Sequence, residues 1–175
     1  MLVASVLTGT LASKLKDHAR LSARSAFRTQ MRFDTDRLLQ KAKSNDDILS
    51  VTCMQLSRLL DRSIVAYTKS ENGMSTGRLF AEKKYTYSEN LLNAAEQKAA
   101  EWAFQNGRRT GATTAQFGKS ECLYLAIRAG DRVYGVIGIP MRPEKPDSFE
   151  NSIVLSVVNE CALAMDNTHN AAEKE

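Results

Sequence analysis

The sequence predicts an α+β fold, an antiparallel sheet with helices packed on one face and long N- and C-terminal helices. Three observations predict it. Residues 121–128 and 132–139 read as two clear strands and flank Gly130-Asp131, a tight hairpin turn. Capping spacings open helices at Ser44 with Asp47, at Asn93 with Glu96 and at Asp147 with Glu150. The resulting order is helix, helix, strand, strand, helix, strand, strand, helix, which such a layered sandwich satisfies. At 175 residues and 43% apolar, the chain suits one globular domain, or one domain with a helical extension.

From residue 2 to about 43 there is no proline and only Gly9, so a long first helix is expected. Its apolar stripe is thin: Leu11, Leu15, Ala19, Ser22, Ala26 and Phe33. Sustained heptads are missing. The first twelve residues are uncharged and apolar or small, and as a helix they reach about 18 Å against about 30 Å of hydrocarbon, too little to span. Lys14 and Lys16 follow the apolar run instead of preceding it, unlike a secretory signal. The segment therefore reads as the cytoplasmic end of a truncated transmembrane helix or as an ordinary amphipathic helix.

Charge divides unevenly. Residues 1–43 hold nine Lys/Arg against three Asp/Glu, a net of +6, while the rest hold fifteen against seventeen, a net of −2. The folded part thus lacks the basic face of a nucleic-acid binder, and no nucleic-acid partner is expected. The basic arm is either a solvated helix face or a juxtamembrane segment facing anionic lipid.

The helix opened by Ser44 buries Ile48, Val51, Leu56, Leu59 and Leu60 and ends near Asp61. Residues 63–68 form a strand, 70–73 a turn with Asn72-Gly73 as its hairpin signal, and 78–82 a second strand. The Asn93 helix runs to Gly107, with Ala95, Ala99, Trp102 and Ala103 sharing a face. A polar loop at 108–119 follows, and the hairpin of 121–139 makes the sheet's centre. After Pro143 and Pro146 comes the last helix, too apolar for a single stripe, from Phe149 through Met165. It should bury two faces, one on the sheet and one on a partner, most simply a second copy.

Two stretches carry a family resemblance. One is Ala99 to Gly107 with its Trp102-Ala103-Phe104-x-x-Gly107 pattern, then Gly111 and Thr113; the other is Leu123-Tyr124-Leu125, Gly130 and Gly135-Val136-Ile137-Gly138, closed by the Ala-rich terminal helix. Together they resemble the GAF domain of Kdp-type osmosensitive potassium-channel sensor histidine kinases. The segment from Phe33 to Gln40 is similar to the stretch that links that family's last transmembrane helix to its GAF domain. The resemblance spans nearly the whole chain. It implies a membrane-bound two-component sensor that controls potassium uptake under potassium limitation or osmotic stress. On that footing residues 1–43 are the end of a transmembrane helix and a basic juxtamembrane signalling helix. Residues 44–172 are a GAF-like sensory domain, and 173–175 lead to a missing kinase core. A homodimer through the terminal helices, contact with the inner membrane, and a response regulator reached through the missing core are the implied partners. The implied location is the cytoplasmic domain of an inner membrane protein.

His18 is followed by Ala-Arg and His169 by Asn-Ala, and neither resembles a phospho-acceptor box; no Gly-rich ATP lid is present. The chain alone should not autophosphorylate, and no catalytic residue, metal or cofactor is assigned. GAF domains often bind a small molecule between the sheet and the segments above it, here the 108–119 loop. Arg108 and Arg109 could grip an anionic ligand or simply be solvated. Trp102 could floor a pocket or belong to the core. Tyr124 and Cys122 share one sheet face, turned to a pocket or to helix packing. The pattern of cyclic-nucleotide-binding GAF domains is absent. Cys53, Cys122 and Cys161 read as buried inert thiols; the alternative is a thiol enzyme of the free-methionine-sulfoxide reductase type.

Overall fold

The computed structural model describes residues 2–81, 89–142 and 145–174; the expected positions Glu82 and Pro143 lie outside them. The chain divides into two compact units, Met1–Arg37 and Leu38–Glu175. The first is a helix, α1 (Leu2–Leu39), 38 residues long with no acidic residue in its first turn. Leu11, Leu15 and Leu21 stand exposed on it. Among the described residues no helix is long and apolar enough to cross a membrane.

In the second unit each element begins where local chemistry sets it. Helix α2 (Asn45–Leu60) is capped by Ser44, whose side chain accepts from the Asp47 backbone N–H at 3.1 Å. Strand β1 (Ile64–Ser70) turns through Glu71 and Asn72 into β2 (Gly73–Met74), pairing Ser70 with Gly73. Strand β3 (Arg78–Phe80) also pairs β1. A short 3-10 turn (Glu89–Leu92) leads to α3 (Ala94–Asn106), capped by Asn93 and closed by Gly107. Strand β4 (Thr110–Gly111) precedes the long hairpin of β5 (Cys122–Ala129) and β6 (Arg132–Pro140). Helix α4 (Ser148–Ala172) starts with a full capping box between Asp147 and Glu150.

The sheet is antiparallel throughout, in the order β2-β1-β6-β5-β4, with β3 beside β1. The α+β class is as expected, and so are the long terminal helices. Strand alternation sends Leu125, Ile127, Ile137, Ile139, Ile64 and Ala66 to one face, where α2 and α4 cover them. The expectation that helices gather on one face holds for these two and fails for α3. That helix covers the opposite face, setting Ala99, Ala100 and Ala103 on Val65, Tyr67, Cys122, Tyr124 and Val136. Its small residues let it lie close, and the buried stripe includes Glu96. The expected face of Ala95 and Trp102 is therefore rotated: Ala95 is exposed and Trp102 half-buried.

One irregularity matters beyond the fold. Ile127 pairs with Gly135 and Arg128 with Val133, so Tyr134 is an extra residue in β6, a β-bulge. Val136 faces α3, and strict alternation would send Tyr134 there too. The bulge reverses the parity, and Tyr134 joins the core beneath α2 and α4. Next to it, Gly135 lies against β1 so closely that a Cβ would strike the Tyr67 carbonyl oxygen. A strand-interior glycine here permits the close approach of the two backbones.

Gly135→Ala is expected to cost about 3 kcal/mol, since backbone cannot move aside as a side-chain tip can. The urea midpoint should fall with little change in slope.

Candidate functional site

Two places in the second unit concentrate chemistry, one on each face of the sheet. Under α3 lies Glu96, with 3% of its surface exposed. Its Oε1 accepts from the Glu121 backbone N–H at 2.8 Å. Its Oε2 accepts from the Cys122 N–H at 3.3 Å and the Tyr124 hydroxyl at 2.7 Å. Three donors meet one buried carboxylate, so α3 is tied to residues 121–124 at the start of β5 through a single side chain. Burial, the neighbouring Cys122 and the bond to Glu96 hold the Tyr124 phenol well above its ordinary range. Burial first, and then the Glu96 charge, push the Cys122 thiol up to about 12. The Tyr67 ring packs 6.3 Å from that of Tyr124 and fills the same space.

The structure does not gather the sequence-nominated ligand residues into one pocket among the described residues. Tyr124 and Cys122 are wholly buried in the packing beneath α3. Trp102 lies half-buried on the same helix, outside that cluster. Arg108 is exposed. Arg109 lines a shallow cavity of about 330 Å³ with Thr113, Thr114, Ala115 and Gln116. Their loop closes on itself, because the Gln116 carbonyl accepts from the Gly111 N–H and from the hydroxyls of Thr110 and Thr114.

On the other face a larger groove, about 680 Å³, opens between the first turn of α2, the β1–β2 turn, the start of β6 and the end of α4. The bulge places Tyr134 here, its hydroxyl donating to Asp166 and its ring edge-on to His169 at 6.2 Å. Arg132 reaches Asn170 at 3.2 Å and Glu173 at 3.8 Å, and His169 reaches Glu173 at 3.2 Å. The last turns of α4 are thus clasped by the start of β6. Sequence reasoning missed Glu96 and Tyr134 as tertiary ties. An acid on an alanine face and a glycine inside a strand were the available signals.

All three cysteines are free and buried. Burial raises the Cys53 thiol well above its usual range, with the nearby Cys161 adding to the shift. Burial also pushes Cys161 up to about 12, against a hydrogen bond with Thr52 that lowers it.

The crystal structure of the native GAF domain of the potassium sensor histidine kinase KdpD from Escherichia coli matches with a TM-score of 0.61 and 17% identity. The match covers 83% of this chain and 98% of that one. The fold is that of a GAF domain. A GAF domain from an Acinetobacter phosphoenolpyruvate-protein phosphotransferase matches it with a TM-score of 0.57 at 12% identity, covering 84% and 98% of the two chains. In sequence, this GAF domain and its N-terminal arm are 28% identical to the sensor protein KdpD of Clostridium acetobutylicum over 181 aligned positions. The alignment takes in all of the present chain and 20% of that protein, so the chain spans about a fifth of its relative's length. No protein-family model matches the chain. The resemblance to Kdp-type sensors noted in the sequence therefore holds over the full chain.

Two outcomes are expected of the α3 side. Glu96→Ala should lower stability by about 3 kcal/mol in urea unfolding, because the Tyr124 hydroxyl and two backbone N–H groups lose their acceptor. At pH 8 a thiol with a pKa near 12 is ionised in only about one molecule in ten thousand. A disulfide reagent should therefore find no fast-reacting thiol in the folded protein and three after unfolding.

Proposed function

We propose that this chain is the signal-relay GAF region of a membrane-bound two-component sensor histidine kinase that controls potassium uptake under potassium limitation or osmotic stress. The observation that carries the reading is the 28% identity to a KdpD sensor protein across the whole chain. The basic α1 would run from the membrane's cytoplasmic surface into the GAF domain, and α4 would run on toward a kinase core. Phosphorylation would belong to that core and its response regulator, and this domain would make no bond of its own. A buried, neutral thiol is a poor nucleophile, which argues against the thiol-enzyme alternative.

A homodimer is part of the proposal. Helix α4 buries Ile153, Val154, Val157, Val158, Cys161, Ala162 and Met165 within the subunit. Leu155 and Leu163 remain 59% and 53% exposed, with Asn159 exposed between them. These three recur every four residues and form one ridge, which a second copy of the same helix complements across a two-fold axis. Relay would then proceed by rotation or repacking of the paired helices.

Sedimentation velocity of the intact chain should give a dimer, and the double substitution Leu155→Glu with Leu163→Glu should give a monomer of unchanged helix content. A monomeric native chain would rule out the paired α4. The kinase reading is tested in a chimera in which this chain replaces the aligned region of the C. acetobutylicum sensor protein. Its autophosphorylation should depend on potassium and lose that dependence with the double substitution. Equal response in both chimeras would sink the relay.

A further inference from the structure

The loop between α3 and β5 is a positive island on an acidic domain. No Asp or Glu occurs from residue 102 to 120, yet Arg108, Arg109 and Lys119 stand exposed there. Exposed Arg128 of β5 joins them, because its Cδ lies 3.0 Å from where a Cβ on Gly107 would sit. None of the four has an ion partner among the described residues. Without them residues 44–175 hold eleven Lys/Arg against seventeen Asp/Glu, a net of −6. A helix C-terminus favours a cation beside it, which accounts for Arg108 but not for Lys119 across the loop. The loop also holds an apolar ring outward. Phe117 is 40% exposed at a φ of 57°, and the β-branched Thr113 takes 68°, both in the left-handed region. Hydrogen bonds fix this shape. Besides the three to the Gln116 carbonyl, the Phe117 carbonyl accepts from the Ser120 N–H at 2.9 Å and the Cys122 carbonyl from the Ala112 N–H at 2.8 Å. Strained backbone survives where its surroundings fix it, and it gathers at binding surfaces.

We propose that this loop docks an acidic segment of another protein, its carboxylates on Arg108, Arg109 and Arg128 and an apolar side chain on Phe117. Arginine's planar fork takes a carboxylate through paired hydrogen bonds, and arginine and aromatic side chains are what protein interfaces concentrate. The recess beside Arg109, bounded by Thr113, Thr114 and Gln116, gives the segment a second foothold. Because the loop is already fixed, docking has little of it left to order. A broad polyanion, a bilayer above all, would meet the surrounding charge of −6 and find a single apolar tip; a narrow segment meets only the island. The inference goes beyond the relay reading and does not rest on it.

The test is an amide NMR titration of the intact chain with a twelve-residue peptide of Glu and Asp carrying leucine at every fourth position, and with its serine counterpart. Localised shifts are expected across 108–119 and at Arg128, weakening as salt rises. Any shifts on the basic α1 are read from its own amides. Arg108→Gln combined with Arg109→Gln should weaken the loop's binding about tenfold and leave α1 as it was. Phe117→Asn separates anchoring from packing. Asparagine accepts a left-handed φ, so the urea midpoint should hold or rise, while affinity for the leucine peptide falls about fivefold and for the serine peptide barely. Loop amides that do not move, or that move equally in the double variant, would overturn the surface. A lowered midpoint with unchanged affinity in Phe117→Asn would make the ring part of its own domain's packing and overturn its role as anchor. Vesicles of equal parts phosphatidylglycerol and phosphatidylcholine are floated in parallel. Flotation that drops in the double variant, without peptide shifts in the loop, would reassign the island to lipid. None of these results touches the kinase reading, which the chimera decides separately.

Discussion

The pairing of Ile127 with Gly135 and of Arg128 with Val133 leaves Tyr134 without a place in the ladder, and the α4 end of the molecule follows from that surplus residue. A strand offers alternate side chains to opposite faces, so one added residue reverses the parity of everything before it. Tyr134 and Arg132 consequently meet Asp166 and Asn170 on α4 and Glu173 just past its end, not α3. The bulge is tolerated because Gly135 carries no side chain where β1 crosses closest. The clasp on α4 and the groove beside it both descend from this local accident of register.

The opposite face is held by another kind of constraint. Glu96 sits in a nearly dry layer of alanines and tyrosines, a costly position for a carboxylate without donors. Two backbone N–H groups and a phenol supply them, from Glu121 and from Cys122 and Tyr124 of β5. The layer is therefore pinned in register as well as packed. With Tyr67 and Tyr124 filling the space, the α3 face is built as a core, while the larger opening lies on the face of α2 and α4.

Much of the fold was legible in the sequence because its signals are local. Ser44, Asn93 and Asp147 cap the helices as their spacing indicated, and Gly107 closes α3 with a positive φ of 61°. The β5–β6 turn falls at Gly130-Asp131 as expected, while the β1–β2 turn is made by Glu71 and Asn72, with Gly73 already paired to Ser70. The site was less legible. Glu96 has the position of a capping acid, and only the tertiary fold shows it reaching across to β5 instead of back to Asn93. Tyr134 looks like any alternating strand residue until the ladder is counted. The placing of α3 on the far face depends on sheet handedness and connection, which no short motif encodes. Arg108 and Arg109 drew notice as a basic pair, yet adjacency in sequence did not bring them to a common cavity.

The two apolar layers share no side chain, since the sheet stands between them and each strand sends its residues one way or the other. Substitutions on opposite sides consequently have little to say to each other energetically, and their costs should nearly sum. Over evolutionary time this makes the domain a pair of loosely independent surfaces mounted on one plate. The alanine layer under α3 can be redrawn while the layer beneath α2 and α4 keeps its geometry. Gly135 and the extra residue beside it are the exception, for there the plate itself is bent, and a change on either side is felt on both.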